Sequence, residues 1–226
     1  MPITVLRLEG NRHTSLADSG IVLFCCAPAF RYRARAVNLA NPQRMLPSRR
    51  LIKRELDAGK LGEPGLIRIH HWEAAGEEAD GEGPLPAVLL QQIDIVLWLM
   101  GKSPTVVYAV KHERQARSKP GQYLQIHLGF PGSAMALLVY SSLHPPGAPF
   151  RSLHVIGSAG AAYVDDQQNM QLLYKGGQVR GVLAEEKPTS EHEPADRATN
   201  WDQTLAVAAA VQQSLQSRQA VSWEGR

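Results

Sequence analysis

The amino-acid sequence predicts an α+β fold, in which strands form a sheet and helices pack against it. An apolar run with helical spacing extends from Leu85 to Gly101, which predicts a helix with one apolar face and one face available for other work, and with Gly101 as its left-handed C-terminal cap. Several short runs rich in β-branched and aromatic residues follow, separated by turns that contain Gly, Pro and Lys. An alanine-rich segment, Trp201–Gln216, predicts a closing helix. With 226 residues and 44% hydrophobic content, the chain can bury a core as one large domain, or as one domain with an extension.

The first forty residues give the weakest pattern. Ile3–Leu8 alternates as a strand does, and Gly20–Cys26 is typical of a short buried strand that ends at Pro28. A dinucleotide-binding fold needs glycines that let backbone N–H groups approach a pyrophosphate, and G-x-G-x-x-G is absent from this region. Two mononucleotide-binding halves also do not fit before residue 60. We therefore expect the chain to carry no Rossmann domain of its own.

A basic stretch extends from Arg31 to Arg54 and contains no acidic residue. It indicates either an anionic partner such as nucleic acid or phosphate, or a solvated helix face whose charge is offset by Glu55, Asp57 and the acidic loop Glu73–Glu82. Few aromatic residues are interleaved, which favours the solvated face and makes nucleic acid an unlikely partner. The eight basic residues are Arg31, Arg33, Arg35, Arg44, Arg49, Arg50, Lys53 and Arg54.

The first elements after this region are a helix and a strand. Pro47-Ser48 predicts a helix start, and the helix is expected to end near Gly59 with Leu51, Ile52 and Leu56 on its inner side. Leu66–Trp72 predicts a strand. Its alternation places Ile67, Ile69 and His71 on one face and Arg68, His70 and Trp72 on the other.

Later segments predict further strands and one more helix. Tyr123–Leu128 alternates, with Leu124, Ile126 and Leu128 on one side. Hairpin turns are expected at Asp165–Asn169 and Lys175–Gln178, and a polar linker over 185–200. The closing helix is expected to pack through Leu205, Ala209 and either Val211 or Gln212. The other predicted strands are Thr105–Val110, Ala134–Leu143 and Arg151–Ile156.

Several motifs, in order, resemble the C-terminal domain of the Gfo/Idh/MocA oxidoreductases, the glucose–fructose oxidoreductase and inositol dehydrogenase family. They are Arg44-x-x-Pro47, Gly59-Lys60-Leu61-Gly62, Ile93-Asp94 followed by Leu97–Gly101, Val155–Gly160, and the ending Ser217–Val221. The resemblance covers about residues 42 to 223. It implies a large, open, mostly antiparallel (mixed) sheet with helices on one face and dimerisation through the other. Residues 42–226 would form this domain, and 1–41 an N-terminal extension or a shortened remnant of a nucleotide-binding domain.

The resemblance also implies a catalytic helix that has lost its chemistry. Relatives carry H-x-x-D on this helix, with a further Asp four residues before the His. Here Asp94 is present, but Gln91 stands at the His position and Ala87 at the earlier Asp position. An amide cannot exchange a proton near neutral pH. The family's E-K-P lysine motif has no counterpart either, so we expect no catalytic residue and no cofactor in this chain, with NAD(P) present only if another chain supplies a nucleotide domain.

Five residues are candidates for a cleft that binds a small sugar-like ligand: Gln91, Asp94, His70, Trp72 and Arg44. Gln91 and Asp94 could instead form a polar stripe on a cleft wall, with Asp94 holding a neighbouring loop. His70 and His71 could be metal ligands, but successive strand residues point to opposite faces, so we expect no metal.

Three hypotheses for function follow. The first is a non-catalytic domain with a ligand-binding or assembly role, homodimeric through its sheet. The second is an NAD(P)-dependent sugar or polyol oxidoreductase that obtains its nucleotide domain from another chain. The third is an anion- or nucleic-acid-binding module that uses Arg31–Arg54. No run approaches the roughly 20 apolar residues that span a bilayer, and the adjacent Cys25-Cys26 favours reduced thiols, so a cytoplasmic location is expected.

Overall fold

A computed structural model describes residues 41–74, 85–116, 119–145, 149–165, 170–175, 178–183 and 200–223. Three α-helices lie in these residues: α1 (Pro47–Asp57), α2 (Ala87–Met100) and α3 (Trp201–Ser217). Short 3-10 helices cover Pro42–Met45 and Pro131–Ser133. The strands expected at Ile3–Leu8 and Gly20–Cys26, the cysteine pair, and nearly all of the expected polar linker lie outside the described residues.

The strands form one nine-stranded sheet with the order β8-β7-β6-β5-β1-β4-β3-β2-β9. Every neighbouring pair is antiparallel except β1 and β4, which are parallel and lie at the centre. The open, mostly antiparallel mixed sheet implied by the sequence is therefore confirmed. The strands are β1 (Pro64–Ala74), β2 (Val106–Ala116), β3 (Lys119–Gly129), β4 (Met135–His144), β5 (Phe150–Gly157), β6 (Gly160–Asp165), β7 (Met170–Lys175), β8 (Gln178–Leu183) and β9 (Val221–Ser222).

The helices cover one face of the sheet. On β1, Ile67 and Ile69 are buried, and the register places them beside apolar residues of β4 and β5 that lie on the same face. Helix α2 packs on β1 and β4, while α3 packs on β2 and on α2. The opposite face, called the open face below, carries the alternate residues, among them Arg68, His70 and Trp72. The predicted alternation of β1 and β3 is thus confirmed.

Helix α2 is buried around nearly its whole circumference. Eleven of its 14 residues are buried, including Gln92 and Asp94. The prediction of a helix with one apolar face and one face free for other work is therefore wrong. The reason is that α2 lies on the sheet, is flanked by α3, and is covered by the 3-10 helix at Pro42–Met45. Its predicted end is confirmed, because Gly101 adopts the left-handed conformation with φ of 65°.

Helix α3 packs only partly through the side that was expected. Val211 is fully buried as predicted, but Leu205 and Ala209 are exposed, and the buried stripe also includes Thr204 and Ser214. The Ser214 hydroxyl accepts a hydrogen bond from the Ala109 N–H (2.9 Å) and donates to the Gln219 carbonyl (2.7 Å). Apolar periodicity alone overlooks a stripe that contains hydroxyl side chains. On α1, Ile52 is fully buried and Leu51 and Leu56 are half-buried, on the expected side.

A buried polar network lies on the helix-covered face near the end of β1. The Glu73 carboxylate accepts a hydrogen bond from the Tyr140 hydroxyl (2.5 Å), and its other oxygen lies 3.0 Å from His71 Nε2. All three side chains are at most 3% exposed. Burial raises the pKa of Glu73, but the hydrogen bonds from His71 and Tyr140 outweigh it, so the net pKa lies below the usual 4.5.

We expect Glu73→Gln to lower the free energy of unfolding by about 1–3 kcal/mol at pH 7, because buried partners lose an ionised acceptor. The folded carboxyl binds its proton more weakly than the unfolded one. Its stabilisation is therefore complete above pH 4.5 and is lost as the pH falls through the folded-state pKa. Urea unfolding at pH 7 and pH 3.5 should show the gap between wild type and variant shrinking at acid pH.

The matched control is Glu113→Gln on exposed β2, where the carboxylate pairs only with Lys111. It should change unfolding much less at either pH. A gap for Glu73→Gln that is the same at both pH values would contradict a stabilising ionised Glu73.

Candidate functional site

Asp94, on the helix that resembles the family's catalytic helix, is the centre of a buried ion pair. Arg44 Nε donates to Asp94 Oδ2 (2.8 Å) and Arg44 Nη2 donates to Oδ1 (2.5 Å), a bidentate arrangement. Asn41 Nδ2 donates to the same Oδ2 at 2.7 Å. Arg44 is 7% exposed and Asp94 is 1% exposed. Because both oxygens accept hydrogen bonds from Arg44 or Asn41, Asp94 anchors the neighbouring segment to α2.

The local sequence explains how Arg44 reaches α2. Asn41 caps the 3-10 helix, accepting a hydrogen bond from the Gln43 N–H (3.0 Å), and Pro42 occupies its first turn. This short helix directs Arg44 inward and leaves Met45 and Leu46 exposed at 43% and 39%. The Arg44-x-x-Pro47 motif is therefore a structural clamp onto Asp94.

Gln91 is held by the same segment. Its side-chain Oε1 accepts from Gln43 Nε2 (3.2 Å), and its backbone carbonyl accepts from Asn41 Nδ2 (2.8 Å). The side chain is half-buried, so it borders solvent. An amide in this place can donate and accept hydrogen bonds but cannot act as a general acid or base near neutral pH.

The structure divides the five candidate cleft residues between two places. Arg44, Gln91 and Asp94 lie together on the helix layer, whereas His70 and Trp72 lie on the open face of β1. The sheet separates the two groups, so one cleft lined by all five does not form. The prediction of a single cleft is wrong because it depends on the side of the sheet that α2 covers. The sequence predicts the alternation of β1 but not the position of α2.

A groove of about 340 Å³ lies beside the ion pair, between the C-terminal end of α2 and the N-terminal end of α3. The half-buried indole of Trp98 lies at its side, with the Arg44 guanidinium 5.3 Å and Lys53 Nζ 5.9 Å from the ring centroid. The groove can offer amide, hydroxyl and ammonium groups to a small polar molecule. Its other polar lining residues are Lys102, Ser103, Asn200 and Gln203.

Sequence reasoning missed this groove because its residues come from distant segments. Gln203 Nε2 donates to Ser103 Oγ across 100 positions (2.8 Å), and Lys102 pairs with Glu63 (2.7 Å). The motif residues Arg44, Asp94 and Leu97–Gly101 gave a sequence signal, whereas Lys102, Ser103, Asn200 and Gln203 gave none. The single lining carboxylate, Asp94, is held by Arg44, so the groove offers binding groups and no free base.

The glycine-containing segment Val155–Gly160 does not form a phosphate-binding loop. It is a hairpin between β5 and β6 that packs against residues 61–63. The N–H groups of Ser158 and Ala159 donate to the Glu63 and Leu61 carbonyls at 2.9 and 3.0 Å. A Cβ on Gly157 would lie 2.1 Å from the Leu61 carbonyl oxygen, so glycine is needed for close backbone packing. The described residues therefore do not fit a dinucleotide at this segment, because these N–H groups are already used.

The open face carries a chain of ring contacts, called the ring cluster below. Trp72 contacts Phe150 (centroids 4.9 Å apart) and His70 (5.9 Å), while His154 contacts His70 (6.1 Å) and Tyr163 (5.1 Å). Burial lowers the pKa of both histidines below 6.5, and the positive charge of Arg68 lowers it further.

No metal-binding group of three or more His, Cys, Asp or Glu side chains is found among the described residues. His70 and His71 lie on opposite faces of β1, as the strand period predicted.

The described part of the basic stretch does not form a continuous exposed surface. Arg44 and Arg49 are buried at 7% and 4% exposure, and Lys53 pairs with Asp57. Arg54 is exposed, 3.9 Å from Glu55. These contacts favour the charge-offset interpretation; Arg31, Arg33 and Arg35 lie outside the described residues.

The described residues thus form an open mixed sheet with its helices on one face, and Arg44 holds the buried helix α2. The sequence model described as the GFO/IDH/MocA C-terminal domain matches residues 50–163, which is half of the chain. The chain therefore belongs to the Gfo/Idh/MocA family, in its C-terminal domain. No curated protein matches the sequence.

Solved structures share this fold. An inferred oxidoreductase from Thermotoga maritima is 21% identical with a TM-score of 0.65, over 80% of this chain and 62% of that one. An NAD binding oxidoreductase from Klebsiella pneumoniae is 15% identical with a TM-score of 0.64, and the match covers 83% of this chain and 66% of that one. An oxidoreductase from Agrobacterium radiobacter, in complex with NAD+, L-tartaric acid and magnesium, is 15% identical with a TM-score of 0.61. This match covers 82% of this chain and 66% of that one. The chain spans less than two thirds of the length of each.

None of the helices in the described residues is long and apolar enough to cross a membrane.

We expect Asp94→Ala to lower the free energy of unfolding by about 3–5 kcal/mol, because it leaves the buried Arg44 guanidinium without its carboxylate. Denaturant unfolding measures this directly. Asp57→Ala is the matched control: it removes an ion pair with Lys53 whose aspartate is 60% exposed, and should cost less than about 1 kcal/mol. Equal effects of the two substitutions would show that the Arg44–Asp94 pair does not anchor the fold.

Proposed function

We propose that this chain is a non-catalytic member of its family, a domain that dimerises through its sheet and serves in ligand binding or assembly. The observation that carries the proposal is the state of the helix α2 site. The family motif that this helix resembles has a histidine where this chain has Gln91. The Asp94 carboxylate accepts hydrogen bonds from Arg44 and Asn41. Proton exchange with a substrate hydroxyl needs a general acid or base; the amide of Gln91 cannot act as one near neutral pH, and the Asp94 carboxylate is engaged by Arg44 and Asn41.

The groove beside Trp98 is where we place a small sugar-like ligand. Its polar lining consists of amides, a hydroxyl and cations that already have carboxylate partners, as Lys102 does with Glu63. Such a lining suits an uncharged molecule with several hydroxyl groups and one apolar side for the indole. We place the protein in the cytoplasm, where the adjacent Cys25-Cys26 would remain thiols.

Dimerisation is supported by the apolar character of the open face. Among the described side chains of the sheet, six large apolar ones are at least 37% exposed, and all six belong to the open-face set of alternating residues. An exposed apolar patch marks an interaction surface, and a second copy is the simplest partner because one patch can pair with itself about a two-fold axis. The six are Val106, Tyr108, Val110, Tyr123, Met135 and Ile156.

We expect the wild-type chain to be a dimer in light scattering, and the double variant Val110→Glu/Met135→Glu to be a folded monomer, because carboxylates would be buried at the interface. The control is Leu205→Glu on α3, an exposed apolar position away from the sheet (37% exposed). It should remain dimeric. A wild-type monomer at high concentration, or a dimer that survives both glutamates, would contradict the proposed interface.

A second candidate is an NAD(P)-dependent sugar or polyol oxidoreductase assembled with a nucleotide domain on another chain. Two observations favour it: the structural relatives are longer, and one of them was solved with NAD+. Met45 and Leu46, exposed beside the groove, would offer an apolar contact to such a domain.

Cofactor titration separates the two candidates. Under the leading proposal, NAD(H) and NADP(H) added to the purified chain should leave tryptophan fluorescence and calorimetric heats unchanged up to about millimolar concentration, which corresponds to less than about 4 kcal/mol of binding free energy. Micromolar binding by this chain alone would overturn the absence of a cofactor site. Binding that appears only when a partner protein is added would favour the second candidate.

A further inference from the structure

We infer that the open face is an acid-sensitive interface, which a second copy covers only while His70 and His154 are neutral and leaves when they become protonated. This inference rests on the dimer proposed above and states how pH would regulate its formation. It arises from the ring cluster, which the family assignment does not explain.

The ring cluster is continuous with the proposed dimer surface. Ile156, one of the exposed apolar residues, lies two positions along β5 from His154, on the same side of the strand. Leu66 pairs with both Ile156 and Met135, so these side chains form one row across β5, β1 and β4. A partner sheet that covers Met135 and Ile156 would therefore also reach His70 and His154.

The side-chain types of the ring cluster and of Arg68 beside it are typical of a surface that another protein molecule covers. Arg68 Nε and Trp72 Nε1 are buried donors with no hydrogen-bond acceptor among the described residues. Each of these atoms exposes less than 1 Å² in the single chain, so an acceptor on a docked partner reaches it only if neighbouring side chains move. Tryptophan, tyrosine and arginine are also the side chains that most often anchor protein interfaces, and Trp72, Tyr163 and Arg68 lie together here.

The charges around the two histidines make their protonation unfavourable. On β1, Arg68 raises the local positive potential at both rings. On β6, Tyr163 contacts His154, and Asp165 partly offsets the positive charge there. From β4, the residue opposite His70 is the apolar Val139, while His144 contacts Trp72. From β5, Ser152 Oγ lies 3.2 Å from His70 Nδ1, a hydrogen bond that a neutral ring can make.

The direction of the pH effect follows from these shifts. The pKa of both histidines lies below 6.5 because of burial and Arg68, and burial by a second copy would lower it again. The dissociated chain therefore binds protons more readily than the dimer. Dimer stability is complete above the pKa of these histidines in the free chain, which itself lies below 6.5, and declines as the pH falls through that pKa. Each dimer holds four such imidazoles, since each copy contributes two.

The experiment is sedimentation equilibrium of the full chain at pH 7.5 and pH 5.5 and constant ionic strength. We expect the dimer Kd to rise at least about tenfold at pH 5.5, the change that one pKa unit at a single histidine produces. Near-ultraviolet circular dichroism at both pH values checks that the chain stays folded. The double variant His70→Gln/His154→Gln should dimerise at both pH values with a Kd change of less than about threefold, and His154→Gln alone should respond to an intermediate degree.

His112→Gln tests whether another histidine of the open face contributes: His112 lies on β2 opposite Tyr123, outside the ring cluster, and this variant should keep the wild-type pH response. A folded wild type whose Kd is the same at both pH values would overturn the acid sensitivity and leave the dimer intact. A double variant that still dissociates at pH 5.5 would overturn the assignment to His70 and His154. A wild type that is monomeric at both pH values would overturn the dimer proposal itself, and this inference with it.

Discussion

The ion pair between Arg44 and Asp94 is the interaction on which the helix layer depends. Asp94 lies at the middle of α2, and Arg44 and Asn41 reach it from the segment that precedes α1. Two ionised side chains in a buried place are tolerated only with complete hydrogen bonding, and here both carboxylate oxygens have donors. The pair thus fixes where α1 begins, how α2 is covered, and where Trp98 faces the groove.

The two faces of the sheet differ in their surroundings. The closed face is covered by the helices, and the open face is not. On the closed face several buried polar side chains form hydrogen bonds, as in the Glu73, His71 and Tyr140 network and the bonds of Ser214 to Ala109 and Gln219, although Gln92 Oε1 has no partner among the described residues. The open face combines exposed aliphatic groups with the ring cluster. An exposed apolar surface of this kind is typical of an interface, which supports the proposed second copy.

Much of the fold could be predicted from the sequence because it depends on local rules. The period of β1 and β3, the helix start at Pro47 and the left-handed Gly101 follow from backbone geometry, and each is confirmed. The location of the candidate site could not be predicted in the same way. It depends on which face of the sheet α2 covers and on contacts such as Gln203 to Ser103, a hundred positions apart. The packing side of α3 was predicted only in part for a related reason, since Thr204 and Ser214 are buried through hydrogen bonds that no hydropathy pattern reveals.

Asp94 shows that a residue of a family motif can have a structural role that does not depend on catalysis. Its carboxylate holds Arg44 and Asn41, so replacing it would disturb the fold whether or not the chain catalyses a reaction. Gln91 is under no such constraint, because its side chain makes one hydrogen bond to Gln43 at the edge of solvent. Under the proposed function, the two positions differ in what they contribute. Asp94 holds the helix layer together, whereas the amide at position 91 offers no group that exchanges a proton near neutral pH.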